Sequence, residues 1–397
     1  MARFNAALTE ALTRRRSALF WCCTVAALGA CAVLVWRMPW PPAPLDLGVY
    51  RAAGVAVLEG QPALYSPDFG VQTGTALPFT YPPIAAVLAV PLALLPLAAD
   101  YVIWTVAGIA LLVGYLARHA GRFDVVQATG LVFISVICIW TLPVSDTLSL
   151  GQLGIFLTLG CIVGCTSRHP GAAMLIGLFA ALKLTPLLFI VYFAITRQWS
   201  RLGWALGTFA GLTAFGFVLM PGESVAYFAD LASSADRVGD PAFYANQSIA
   251  GAMERLGVSS QPLWIAVAGV VTAAGLWLAS RWFRQGSLVA AAVVVGLTTV
   301  LVSPVSWQHH AVWIVPAIVF VYARVETAWA KVVVGLTVAF TILRLPIWAA
   351  SWPASAWATL LSDSLTIVVA GLLGTMWVLE RRPRTHVTAE FAANQPA

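Results

Sequence analysis

Charge is what this chain has least of. Of its 397 residues only 22 are Lys or Arg and 16 are Asp or Glu, 10% in all, against about a quarter in a soluble domain. So few ionisable groups cannot dress a surface of that size in water, which excludes a soluble fold. Long polar stretches are missing as well, so no separate soluble domain fits. The net charge of +6 comes from bases that stand one to three at a time between apolar stretches. A nucleic-acid partner would need them clustered along one face, so no nucleic acid is expected. None of the six cysteines lies outside an apolar run, which excludes a disulfide framework. Cys161 and Cys165 lack a companion His or carboxylate and read as packing residues. A Gly-rich phosphate loop is also absent.

What is present is apolar: 60% of the residues are hydrophobic. At about 20 residues per membrane-spanning helix, the length holds roughly 11 to 13 spans. Twelve runs qualify, at 17–36, 100–117, 125–142, 150–166, 171–182, 185–197, 202–220, 262–280, 287–302, 311–323, 332–346 and 358–379. The expected fold is therefore an all-α polytopic integral membrane protein, with residues 1–397 forming a single transmembrane domain. Arg14, Arg15 and Arg16 before the first run suggest a signal peptide, but the run is too long and has no small-residue cleavage site. An uncleaved first helix is expected.

Threading the runs from a cytoplasmic N-terminus leaves only Arg37, Arg51, Lys183, Arg237, Arg255 and Arg344 off the cytoplasmic side. The positive-inside rule then predicts both termini in the cytoplasm of a multi-pass cell (inner) membrane protein. The apolar segment 84–97 carries Pro91 and Pro96 and is too short to cross alone, so it is expected to be re-entrant or partly spanning. The pair 171–182 and 185–197 is broken at Lys183 and Pro186, and such breaks survive only where protein or water lines them. A cavity is expected there. The outer face receives a first loop at 37–83 with a membrane-surface amphipathic helix, short loops at 145–152 and 303–310, a second large loop at 221–261, and a Trp-rich turn at 346–357.

The residues able to do chemistry lie on that outer face. Asp46 heads the amphipathic stretch, where it serves either as a helix cap or as a general base. Lys183 is a cation between apolar half-helices that needs an anion, either a lipid phosphate or an acid such as Asp146. His309 and His310 follow Ser303, Pro304, Val305, Ser306 and Trp307. On an α-helix, neighbours point about 100° apart, so one His is expected to face the cavity while the other packs. They lack the spacing of a His-x-x-x-His zinc motif, and no metal or other cofactor is expected. Asn246, Gln247 and Ser248 form an amide patch or a helix cap. Gly151 with Gln152, and Phe79 through Pro83, are weak signals of a cavity rim.

In order, these stretches resemble the polyprenol-phosphate-mannose-dependent α-1,2-mannosyltransferases of the GT-C glycosyltransferase superfamily. The matching segments are Asp46-Leu47-Gly48-Val49-Tyr50, Phe79-Thr80-Tyr81-Pro82-Pro83, Gly151-Gln152, Ala181-Leu182-Lys183-Leu184-Thr185-Pro186, Asn246-Gln247-Ser248, and Ser303-Pro304-Val305-Ser306-Trp307-Gln308-His309-His310. The resemblance implies a GT-C fold of about 12 transmembrane helices and a periplasmic active site. It implies transfer of mannose from polyprenyl-phosphate mannose to a lipid-anchored phosphatidylinositol mannoside. Asp46 would be the base and His310 a second catalytic group, while Lys183, His309 and His310 would hold the donor phosphate. Tyr50, Arg51, Tyr81, Gln152, Asn246, Gln247 and Trp307 would bind substrate. Rival readings are a lipomannan-branching or other polyprenyl-phosphate-sugar transferase, such as an arabinosyl or glucosyl enzyme. A secondary transporter or lipid flippase would show inverted repeats, and the first loop and the Ser303 motif each occur once.

Overall fold

The computed structural model describes residues 44–381 except 61–62, 67, 73, 76, 120–124, 230–238, 325–327 and 354, and before them only Cys22, Val25 and Gly29. The expected first span at 17–36 apart from Cys22, Val25 and Gly29, the basic residues Arg3, Arg14, Arg15, Arg16, Arg37, Arg122, Arg237, Arg382 and Arg384, and part of both long loops lie outside the described residues. Among the described residues the chain is helical, with one isolated antiparallel bridge between Asn246 and Trp307.

Helix α1 (Leu45–Leu58) is followed by a short α2 (Phe69–Gln72) and by α3 (Pro83–Leu88) and α4 (Val90–Ala93). The last two fill the apolar segment 84–97. A long α5 (Leu97–His119), α6 (Val125–Trp140), α7 (Leu142–Leu150) and α8 (Gly154–Thr166) come next. Then follow α9 (Met174–Leu182), α10 (Leu187–Ile195), α11 (Trp199–Leu219) and α12 (Pro221–Ala229). The C-terminal half contains α13 (Ile249–Arg255), α14 (Gln261–Arg284), α15 (Leu288–Val302), a 3₁₀ turn Gln308–Trp313 and α16 (Ile314–Arg324). It ends with α17 (Ala328–Ile342), α18 (Leu345–Ala350), α19 (Ala356–Ser362) and α20 (Ser364–Glu380).

By length and composition three helices can cross a membrane, Leu97–Arg118, Trp199–Leu219 and Gln261–Arg284, or five if each of two bent pairs is one span. Further apolar helices of 10 to 17 residues accompany them. Several match the expected runs closely: Pro170–Leu182 against 171–182, Leu288–Val302 against 287–302 and Gln308–Ala323 against 311–323. The stretch 145–152, expected as a loop, is mostly helix: Pro143 opens α7, which lies at 71° to the end of α6, as a proline that cannot continue the preceding ladder requires. Helix α15 is buried from Val289 to Leu301, so it is surrounded by protein and has no need of a full lipid-facing length.

Two apolar cores result. The larger joins α5 to α10 with α14 to α17 and α20. Gly296 on α15 lets the Trp313 indole lie against the helix backbone, where a Cβ would fall 2.1 Å from the ring. The smaller core belongs to the first loop, where Leu47, Tyr50, Ala53, Leu64, Phe69, Phe79 and Tyr81 are buried together. Its aromatic rings touch in series, Tyr65 to Phe79 and Phe79 to Tyr81, and the Tyr65 hydroxyl donates to the Tyr81 carbonyl at 2.7 Å. The two cores meet where α1 rests on the end of α7. Gly151 terminates α7 in the left-handed region at φ +71°, and a Cβ there would sit 2.5 Å from the Leu47 Cβ. Gly151→Ala is therefore expected to destabilise the protein by about 2 to 4 kcal/mol, combining left-handed strain with overpacking. Thermal unfolding in detergent checks this, and loss of activity should accompany it because Asp46 is the neighbour of the displaced Leu47.

Candidate active site

The junction of the two cores encloses a cavity of about 910 Å³, within the range of small-molecule sites. Of the sequence-predicted residues, Asp46, Tyr81, Gln152, Lys183, Trp307, His309 and His310 all line it, although they come from segments up to 264 positions apart in the chain. Asp46 lies in the first turn of α1, whose N-cap is Pro44, and no hydrogen bond from its side chain to a backbone N–H occurs among the described residues. Its carboxylate is thus not consumed in capping. Burial pushes its pKa up from the usual carboxylate range, while His309, the Gln152 amide and Lys183 pull it down and Asp146 pushes it further up.

Behind Asp46, Tyr50, Gln152 and Tyr81 bond in a ring. The Tyr50 hydroxyl donates to Gln152 Oε1 at 2.9 Å, Gln152 Nε2 donates to the Tyr81 hydroxyl at 3.3 Å, and the two phenols are 2.9 Å apart. Burial raises both tyrosine pKa values, so both phenols keep their protons. Tyr50 sits one layer back from the cavity, four residues after Asp46 on the same helix face, and buttresses the wall. Arg51, one position further round, is turned away. Its Nε donates to the Leu95 carbonyl at 3.1 Å and lies 3.8 Å from Asp100, so it fastens α1 to the segment after α4.

Lys183 closes α9 in an extended conformation, where the chain breaks before Pro186. Its Nζ lies 2.7 Å from His310 Nε2 and 5.5 Å from the Tyr81 ring centre. The pairing with Asp146 weighed from sequence does not form; Asp146 Oδ2 instead lies 3.3 Å from His309 Nδ1. An ammonium only donates, so His310 Nε2 must accept and the ring is neutral. Burial, then the Lys183 charge, then His309 depress its pKa well below the usual imidazole value. Both histidines line the cavity, contrary to the expectation that one packs away. They lie on a 3₁₀ turn with Ala311 off helical geometry, and their rings meet edge to face at 81° and 4.8 Å. Both side chains nevertheless reach the same wall. Among the described residues no cluster of three or more His, Cys, Asp or Glu has the arrangement of a metal site.

Asn246 and Gln247 do not line the cavity; both are fully buried in the joint that holds the Ser303 motif. Asn246 Oδ1 accepts from Ser306 N at 2.9 Å, and Ser248 caps α13 through Gly251 N at 3.0 Å. The Gln247 backbone N–H donates to the Ser306 carbonyl. Its side chain donates to the Tyr244 and Ser362 carbonyls at 2.6 Å each and accepts from Thr366 N at 3.1 Å. Arg255 completes the joint, bonding Asp363 and the Asn246 carbonyl. Gln247→Ala would orphan several buried backbone groups at about 1 to 3 kcal/mol each. It is expected to lower stability by about 3 kcal/mol or more, while leaving KM near the wild-type value in whatever protein folds. Asp146, weighed from sequence only as a partner for Lys183, and Thr185, quoted only within a matching segment, also line the cavity, as do Asp240 and Tyr244, which sequence reasoning passed over. Asp240, an acid in an acid-poor chain, carried a signal.

The profile of glycosyltransferase family 87 matches residues 79–304. The chain belongs to that family. A polyprenol-phosphate-mannose-dependent alpha-(1-2)-phosphatidylinositol mannoside mannosyltransferase of Mycobacterium tuberculosis is 35% identical to it, over 76% of this chain and 75% of the relative. The protein of the same description from Mycolicibacterium smegmatis is 32% identical over 91% and 89%. A polyprenol-phosphate-mannose-dependent alpha-(1-2)-phosphatidylinositol pentamannoside mannosyltransferase of Mycolicibacterium smegmatis is 31% identical over 84% of each. No solved structure matches the chain. Membership makes this family 87 chain a glycosyltransferase, and its apolar helices make it a multi-pass membrane protein.

Proposed function

We propose that this chain transfers mannose from polyprenyl-phosphate mannose to the 2-hydroxyl of a phosphatidylinositol mannoside. The observation that carries the reading is one cavity in which an uncapped carboxylate, Asp46, faces a cation, Lys183, through two histidines. The relatives' printed activities supply the donor and the acceptor class. In the proposed step Asp46 takes the proton of the acceptor hydroxyl as its oxygen bonds to the anomeric carbon. The bond from that carbon to the phosphate oxygen breaks, and the phosphate leaves with the electron pair. Charge grows on the leaving phosphate, and the Lys183 ammonium, oriented by the hydrogen bond it donates to His310 Nε2, is placed to offset that charge. A single base suits an inverting displacement. A retaining route would need a free second carboxylate beside the first; of the other two acids of the wall, Asp146 is bonded to His309 and Asp240 accepts from Ala242 N–H.

In this reading the twelve runs are spans, both termini are cytoplasmic, and the cavity opens to the periplasm, where the loop 37–83 and the motif 303–310 meet. The test is to offer purified protein in detergent three labelled donors, polyprenyl-phosphate mannose, polyprenyl-phosphate arabinose and polyprenyl-phosphate glucose, with phosphatidylinositol mannosides as acceptor. Mannose transfer alone supports the proposal. Preferred transfer of either other sugar moves the chain to a rival transferase, and label crossing the bilayer of proteoliposomes without forming a new glycolipid moves it to a transporter.

A further inference from the structure

Asp146 has no role in the step above, yet its carboxylate lines the cavity and bonds His309 Nδ1. A carboxylate only accepts, so Nδ1 must carry the hydrogen, which in a neutral imidazole leaves the lone pair on Nε2. His309 Nε2 is buried without a hydrogen-bond partner among the described residues. The adjacent ring is set from its other side: His310 accepts at Nε2 from Lys183, so its hydrogen too is on Nδ1. Two touching histidines therefore hold the same Nδ1–H tautomer, each fixed by a different charged residue. Helix α7 fixes the main chain of His309 too, since Thr147 Oγ1 donates to the His309 carbonyl at 3.2 Å. Gly154 leaves room for that carbonyl, where a Cβ would stand 3.0 Å away. Arg344 Nη2, donating to Ser145 Oγ at 2.8 Å, ties the same turn of α7 to α18.

We infer that Asp146 is a positioning residue of the transfer reaction, holding hydrogen on His309 Nδ1 so that Nε2 stays free to accept a hydrogen bond from a substrate hydroxyl beside Asp46. The inference rests on the transferase reading. The charged and titratable groups that line the cavity with His309 are Asp146, Asp46, Lys183, His310, Asp240 and the tyrosines Tyr81, Tyr227 and Tyr244. Among them Asp146 is the one hydrogen-bonded to the His309 ring.

The test is a double-mutant cycle on kcat with Asp146→Asn, His309→Gln and the two combined. An asparagine amide can turn its NH₂ toward Nδ1 and favour the other tautomer. Asp146→Asn is therefore expected to lower kcat about 10²-fold, as loss of an oriented proton-handling group does, with KM for donor and acceptor little changed. In the His309→Gln background the same change should cost nothing further, because the group through which it acts is gone. Asp146→Glu, which keeps the carboxylate, should recover most of the loss. An equal fold-loss with and without His309, or an unaltered kcat in Asp146→Asn, overturns the inference. The ¹⁵N imidazole spectrum of the wild type decides it without turnover or a variant: hydrogen on His309 Nδ1 is expected, and hydrogen on Nε2 alone refutes it. If wild-type protein transfers no mannose, the proposed function fails while the spectrum still judges Asp146.

Discussion

Asp46→Asn is expected to lower kcat by about 10³-fold, within the range for loss of a general base, while thermal unfolding stays close to wild type. The substitution is nearly isosteric, and the carboxylate it removes makes no capping bond that α1 would miss. A measurable residual rate is expected because the cavity still brings donor and acceptor together. The pH dependence follows from the same residue. Asp46 works only when ionised, and its burial raises its pKa. kcat/KM of the wild type should therefore rise with pH through a limb above the ordinary carboxylate range and then level off, and Asp46→Asn should lack that limb. Wild-type rates in the variant, or an unaltered acid limb, would return Asp46 to a helix-end residue of no catalytic consequence.

Lys183→Met is expected to cost about 10²- to 10³-fold in kcat, the usual penalty for removing one preorganised donor to a developing anion. The methionine fills a similar volume and the bonded partner, His310, is neutral, so the fold should tolerate it, while the Asp46 pKa should rise further once the Lys183 charge that lowers it is gone. The effect should reside mainly in kcat, since the leaving phosphate carries more charge in the transition state than in the bound donor. Replacing both Lys183 and His310 with turnover intact would remove the leaving-group assignment altogether.

The separation between what was legible in the sequence and what was not has a physical basis. Asp46, Lys183, Gln152 and the histidines were legible because each is a polar residue in an apolar chain at a break in an apolar run. Such residues are costly unless something uses them. Helical geometry decided the fate of the rest of α1. Tyr50 follows Asp46 by four residues and stays on its face, whereas Arg51 follows by five and is rotated about 140° away, toward Leu95. Asp146 was misplaced because 145–152 reads as a polar loop. The segment is instead a helix bent by 71° from the one before it, and its acid meets a histidine 163 residues distant, a contact that no local pattern announces. Asn246 and Gln247 look like substrate amides in sequence, and only burial reveals that their hydrogen-bonding capacity is spent on backbone groups.

The central claim is the reaction itself, and linkage analysis of the product tests it most directly. Purified wild-type protein, given polyprenyl-phosphate mannose labelled in the sugar and phosphatidylinositol mannosides, is expected to yield a glycolipid one hexose larger whose new bond is an α-linkage to O2. A product of another linkage, or recovery of the label as unreacted donor by protein that is folded and monodisperse, would contradict the account.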